Sequence, residues 1–296
     1  MKEVHPNLVR VYSAQNAGPE GGFTIARAIP VQGLQAVGPF VMIDHYGPVD
    51  IPPGGRFGFP PHPHAGIATV SMLLQGRRRH RDTLGNDVEW SPGDVQWMNA
   101  GRGIVHEEGL ARDFKGTGGW IEGLQIWFNL PASDKQANPS YEHVPAERVG
   151  RYASGCATAT VVAGKPEVDG QCVVGPIACG LPAQLGMVDI ETGGRVLLRF
   201  PSRHECGIYV ANGTASVHGQ PVRAHELALV MQADEAIPIA ALGPEPVRVV
   251  FLGGLPSVEK SVFYGPFVMS SEEEMRDTRL RYMRGEMGVL PPEGTL

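Results

Sequence analysis

Residues 57–66 read Phe-Gly-Phe-Pro-Pro-His-Pro-His-Ala-Gly, and residues 92–108 read Pro-Gly-Asp-Val-Gln-Trp-Met-Asn-Ala-Gly-Arg-Gly-Ile-Val-His-Glu-Glu. Each stretch carries an i, i+2 pair of ligand-type residues: His62 with His64, and His106 with Glu108. On an extended chain, residues two apart point to the same face. Two neighbouring strands would therefore aim three imidazoles and one carboxylate at one point, with Glu107 facing away. The pattern predicts a metal site. Neutral imidazoles and a carboxylate suit Fe, Mn, Co, Ni, Cu or Zn, and do not suit a calcium cage. Without thiolates, a closed structural zinc site is disfavoured. Four protein ligands on an octahedral metal leave two positions open, which fits oxygen activation with an organic co-ligand. Glu108 would either stay a ligand or loosen and take a proton from the substrate.

The rest of the chain reads as scaffold. Its 296 residues suggest two domains rather than one. Apolar content of 42% and charged content of 19% are those of an ordinary globular protein. The 39 Gly and 26 Pro follow no period, so they predict many short strands joined by tight turns. Strand-like pieces lie at 8–14, 24–29, 41–43, 67–75, 88–90, 95–98, 104–108 and 123–131, and the same grammar returns at 196–200, 207–211, 215–218, 227–231, 237–241 and 247–252. Residues 132–150, rich in Pro, Ser, Asn and charge, read as a linker. The expected domains are 1–131, carrying the metal, and 151–296. Gly-Pro-Phe-Val-Met occurs at 38–42 and again at 265–269. Ser270 to Met275 has a capping-box start and predicts a helix running to about Gly288.

A net charge of −6 gives no general attraction to nucleic acid or to an anionic membrane. The one basic run, Arg77-Arg78-Arg79-His80-Arg81, sits beside a turn and reads as a solvated hairpin arm. Cys156, Cys172, Cys179 and Cys206 form no C-x-x-C and read as reduced, buried thiols. Residues 1–6 are followed by no apolar segment of the kind a secretory signal needs. No apolar run approaches the ~18 residues of a spanning helix, so a cytoplasmic protein is expected. His45 reads as a structural, hydrogen-bonded histidine.

His62-Pro63-His64, Thr69-Val70-Ser71, Gly76, His80-x-Asp82, residues 92–98, Ala100-Gly101-x-Gly103-Ile104-x-His106-x-Glu108, Gly123-Leu124-Gln125-x-Trp127-x-Asn129-Leu130 and residues 265–269 together resemble the pirin family of the cupin superfamily. The resemblance covers nearly the whole chain. It implies an all-β bicupin: two jelly-roll-type barrels in tandem with a short C-terminal helix. It implies one metal, usually Fe(II), in the first barrel, on the same four residues: His62, His64, His106 and Glu108. It also implies flavonol dioxygenase activity on a small aromatic substrate such as quercetin with O2, with Glu108 as the base, or alternatively a regulatory role that binds a protein partner. Arg77 to Arg81 would be the partner surface in that second case. Phe57, Phe59, Met72 and Met98 are the expected apolar pocket walls. A gap-free offset places Arg199, Pro201, Pro238 and Ala240 at the ligand positions of the second barrel, so it is expected to be empty and His204, His218 and His225 to be structural. The family's basic residue and Glu after H-P-H are replaced here by Ala65 and Ala68.

Overall fold

The computed structural model describes residues 8–20, 23–231, 235–256 and 259–291. The stretch read for a secretory signal, residues 1–6, lies outside the described residues. Strands dominate, as the short apolar runs between Gly and Pro predict. No described helix is long and apolar enough to cross a membrane. The chain divides into two compact units: Met1–Asn16, Ala26–His45 and Glu147–Ser257 form one, and Ala17–Ile25, Tyr46–Ala146 and Val258–Leu296 the other. The units interleave along the chain, and the strands Phe23–Ile29 and Phe40–Ile51 each have residues in both. Residues 132–150, expected as a linker, include the strand Ser140–Val144, which pairs with Val95–Asn99. The C-terminal helix falls with residues 46–146.

The unit containing Glu147–Ser257 holds a seven-stranded and a six-stranded sheet. Strand Arg195–Arg199 shows how its core forms. Val196 and Leu198 are buried while Arg195, Leu197 and Arg199 are exposed, because alternate side chains face opposite sides of a sheet. Val161, Val188, Leu198, Ile208, Val217, Ile239 and Phe251 join one apolar core. Among the described residues, no group of three ligand-type side chains converges in this unit. His45 is structural here: its Nδ1 lies 2.9 Å from the Tyr209 hydroxyl. The thiols differ from the expectation. Cys179 and Cys206 are buried, Cys156 is half-buried, and Cys172 is exposed on a two-residue strand.

In the unit containing Tyr46–Ala146, the strands Ser140–Val144, Val95–Asn99, Ile67–Gln75 and Gly119–Asn129 lie side by side in that order. A four-stranded sheet runs Phe59–His64, Ile104–Leu110, Arg78–Asp82 and Asp87–Trp90. Phe57 stacks on Phe23 at 4.1 Å and joins Tyr46, Ile51, Leu110 and Ile121 in one cluster. The C-terminal helix spans Glu272–Met283, with the Ser271 side chain accepting from the Glu274 amide. It stops five residues short of Gly288 because Gly285 and Gly288 both take positive φ and turn the chain. The repeated pentapeptide repeats its structure as well. Gly38 and Gly265 have φ of 54° and 53°, and a strand begins at the Phe of each copy.

Candidate metal centre

The two ligand pairs lie on neighbouring antiparallel strands, Phe59–His64 and Ile104–Leu110, with His62 opposite His106. On the other side of Ile104–Leu110, strand Arg78–Asp82 sets His80 opposite Glu108 and Asp82 opposite His106. Two convergent triads result, sharing His106: His62, His64 and His106, and His80, His106 and Glu108. His62, His64 and His106 thus converge in one triad, while Glu108 converges with His106 and His80 in the other, so no group among the described residues holds all four. Two close approaches fix the first strand. A Cβ on Gly58 would lie 2.1 Å from the Glu108 carbonyl, and one on Gly66 would lie 1.8 Å from the Val268 carbonyl. Gly66 takes φ +76°, a conformation side chains disfavour. Buried Lys135 locks the same corner, donating to the carbonyls of Gly66 and Val268 and to Asn129 Oδ1.

The ring nitrogens are set by their partners. His62 Nδ1 lies 2.8 Å from the Pro60 carbonyl, and His64 Nδ1 lies 3.3 Å from that of Pro266. A carbonyl can only accept, so Nδ1 carries the proton and Nε2 keeps its lone pair. His80 Nε2 bonds Asp82 Oδ2 at 2.9 Å, which leaves its Nδ1 lone pair available. Asp82 is itself held by Asn86 and the Leu84 amide. Although burial opposes ionisation there, the hydrogen bonds from His80 and Asn86 keep its carboxyl below the usual range. Burial, and then the neighbouring His62, push the His64 imidazole down to about 3. Burial pushes His106 well below its ordinary value too, with His62, His64 and His80 adding to it. Both rings are therefore neutral at pH 7. Among the described residues, neither ring nitrogen of His106 has a hydrogen-bond partner. A buried, neutral, unpartnered imidazole between two others is a donor set that fits a first-row transition metal.

Glu108 is buried, with one oxygen hydrogen-bonded and the other facing a guanidinium. Ser71 Oγ is 3.2 Å from Oε1, and Arg78 Nη2 is 3.6 Å from Oε2. Ser71 Oγ also lies 2.5 Å from the Gln125 amide. With one proton, Ser71 serves both only if the amide turns its NH2 toward Ser71 and Ser71 donates to Glu108. As expected, Glu107 faces the other way, accepting from Arg81 at 2.6 Å.

Two expectations change. Arg77 to Arg81 is not a solvated arm: Arg78 to Asp82 is a buried strand, because every second residue of it faces the metal side. Arg78 is 0% exposed, and Arg79 and Arg81 are tied to Asp87 and Glu107. Within the run, Arg77 keeps a partly exposed side chain and pairs with Asp113. Met72 is not a wall of the site. Register pairs Trp127 and Met98 with Thr69, and Gln125 and Gln96 with Ser71. Since Ser71 reaches Glu108, the face turned to the site carries Thr69, Ser71, Gln96, Met98, Gln125 and Trp127, and Met72 takes the opposite face. Phe57 belongs to the apolar cluster with Phe23 and Tyr46. The spacing of ligand-type residues does not point to Tyr141, which stacks on His80 at 4.2 Å, or to Trp127, edge-on to His64 at 5.1 Å. A cavity of about 260 Å³ is lined by Phe57, Phe59, Arg79, Arg81, Glu107, Glu108 and Lys115.

Known proteins share this architecture. The chain matches the family model described as Pirin over residues 22–128, and the one described as Pirin C-terminal cupin domain over residues 187–288. It is 36% identical over 251 residues to a Pseudomonas aeruginosa protein named "Putative quercetin 2,3-dioxygenase", covering 81% of this chain and 83% of that one. It is 28% identical over 273 residues to the Homo sapiens protein named "Pirin", covering 90% and 89%. A crystal structure of quercetin 2,3-dioxygenase from Acinetobacter baumannii matches it with a TM-score of 0.87 at 26% identity, covering 96% and 99%.

Proposed function

The chain belongs to the pirin family, with two cupin domains, and on that premise we propose that it is a metal-dependent dioxygenase opening the ring of a flavonol such as quercetin with O2. The observation that carries this reading is the convergence of His62, His64 and His106, with His64 and His106 neutral, beside the buried carboxylate of Glu108. These four residues would hold one ion, Fe(II) in this reading, with Ni, Co, Mn, Cu and Zn compatible with the same donors. When bound, the ion supplies Lewis acidity and an electron path between the organic substrate and O2.

The chain's own residues do the rest. The carbonyls of Pro60 and Pro266 orient two imidazoles. Glu108 takes the proton of the substrate hydroxyl, a general-base role, while Ser71 holds one of its oxygens in place. Trp127 and Met98 give the interior apolar surface against which a flat aromatic ligand packs. The test is metal analysis of the purified protein together with oxygen consumption in the presence of quercetin. One stoichiometric iron and metal-dependent oxygen uptake are expected, and both should be lost in His62→Ala. Bound metal without uptake overturns the dioxygenase reading. Quercetin turnover that survives Glu108→Ala overturns the role given to Glu108.

A further inference from the structure

Apart from the ring nitrogens of His106 and His143, which can donate or accept, the buried unpaired polar atoms around the metal centre are donors. Arg78 Nε and Nη2, Gln96 Nε2, Trp127 Nε1 and the Tyr141 hydroxyl are buried atoms with no hydrogen-bond partner among the described residues. Four of these five are nitrogens that donate and cannot accept, and the fifth is a hydroxyl that can donate. They surround the histidine cluster from different strands. Trp127 stands edge-on to His64, Tyr141 stacks on His80, Gln96 sits opposite Ser71, and Arg78 reaches toward Glu108. Buried polar groups are nearly always paired, so a ring of unpaired donors points to a ligand that brings acceptors.

Charge points the same way. Arg78 is wholly buried, and its guanidinium lies 5.1 Å and 5.3 Å from the ring centres of Tyr46 and Phe57. Nη1 is bonded to the Tyr46 hydroxyl at 3.0 Å. The carboxylate facing it is Glu108, with Nη2 at 3.6 Å, a long approach for a charge-assisted pair. Asp82 is already engaged by His80 and Asn86. With a divalent ion drawing on Glu108, the interior would hold an excess of positive charge away from water, which an anionic ligand relieves.

We propose that this interior recognises a ligand bearing an ionised oxygen acid, a carboxylate or an acidic enol, with Arg78 as the residue that discriminates for charge and Gln96, Trp127 and Tyr141 as supporting donors. The proposal rests on the reading of this interior as a substrate site, and it narrows the substrate class. Arg78 acts on the ligand from a side-chain position that the general fold does not demand, since an apolar residue would fill the same place among Tyr46, Phe57 and Leu110.

The test compares benzoate with benzamide, alike in shape and differing in charge, by titration calorimetry against the full chain loaded with zinc. Zinc has no redox chemistry, so binding is read without turnover. Wild type is expected to bind benzoate at least about 10-fold more tightly than benzamide, the order of one charge-assisted hydrogen bond. Arg78→Met should bring the ratio within about 2-fold, and Arg78→Lys should keep part of it, which a merely structural role would not do. A ratio near one in wild type, no binding of benzoate, or a ratio unchanged in Arg78→Met overturns the proposal. The wild-type ratio needs no variant, so misfolding of Arg78→Met leaves that criterion standing. Gln96→Leu is a second, uncharged probe, expected to weaken benzoate about 5-fold; unchanged affinity removes Gln96 from the recognition set. Charge preference without quercetin-dependent oxygen uptake would defeat the dioxygenase reading alone, and uptake without charge preference would defeat this inference alone.

Discussion

Acid should unfold the metal-stripped protein through its buried imidazoles, and His64 gives the size of the effect. Its ring is neutral and buried, with an imidazole value pushed from 6.5 down to about 3 by burial first and His62 second. The sign follows from which state binds more protons. Between pH 6.5 and 3 the unfolded chain protonates this histidine and the folded chain does not, so stability is full above 6.5 and falls as the pH drops through that window. Integrating the one-group linkage from pH 7 to pH 5 gives a loss of about 2 kcal/mol for His64 alone. His106, lowered in the same direction by burial, adds to it. Carboxylates contribute little over this range, because their ordinary values lie near 4. The assay is urea unfolding of the metal-stripped protein at pH 7, 6 and 5, for wild type and for His64→Gln. The variant should be less stable at pH 7 and should show a pH slope shallower by about 2 kcal/mol over the two units. Equal slopes in the two proteins would refute the claim that His64 is buried neutral.

Three further outcomes are expected. Lys135→Met removes the donor that ties Gly66, Asn129 and Val268 together; it should cost about 2 kcal/mol in urea unfolding and weaken zinc in a chelator competition, since the same corner carries the Pro266 carbonyl that orients His64. Gly66→Ala meets the Val268 carbonyl at 1.8 Å with φ +76°, and should lose about 3 kcal/mol or more of stability, whereas Gly85→Ala, with open space around its Cβ, should lose about 1 kcal/mol from its positive φ alone. Native alkylation at pH 7.5 should modify exposed Cys172 and spare Cys179 and Cys206, whose thiols burial pushes up to about 12; peptide mass mapping reads the result.

Much of the site was legible because strand parity is a property of the local chain. His62 and His64, and His106 and Glu108, are each two apart, and a sheet turns both pairs to one side whatever the rest of the fold does. The same parity runs through Arg78, His80 and Asp82, yet it was hidden inside a block of charge. Charge blocks are usually solvated, and composition outweighed period there. Only the register between Arg78–Asp82 and Ile104–Leu110 shows that this strand lies beside the ligands. Met72 and Met98 fail and succeed for a related reason. Their faces depend on how Ile67–Gln75 pairs with Val95–Asn99, and pairing register is not written in either strand alone. The interleaving of the two units is a still longer-range fact. It follows from strands such as Phe40–Ile51 that continue across a boundary no turn residue marks.

The two units show why the function of this chain lies in side chains rather than in its fold. Both are built from antiparallel strands with alternating faces. In one, the inward faces are filled by Ala, Val, Ile, Leu and Phe together with Cys206, packed into a single apolar core; burial of these residues supplies the stability, and no group of three ligand-type side chains converges among its described residues. In the other, the inward face holds Thr69, Ser71, Gln96, Gln125, Arg78, His80, His106 and Glu108. Each such group costs free energy to bury unless it finds a partner, about 1–3 kcal/mol for a neutral one and more for a charge. Hydrogen bonds within the chain satisfy Ser71, Asp82 and His80. They leave His106, Arg78 and Gln96 unsatisfied. A stable barrel could be made by exchanging those residues for valines, as the other unit demonstrates. Their presence is a cost that a bound ion and an acceptor-rich ligand would offset, and metal loading should accordingly raise the melting temperature of the whole chain. By mass action, ion at 100 times its Kd adds roughly 2.7 kcal/mol, enough to see in a thermal scan, and a site of four partners that bound no first-row divalent ion would leave that cost without an explanation.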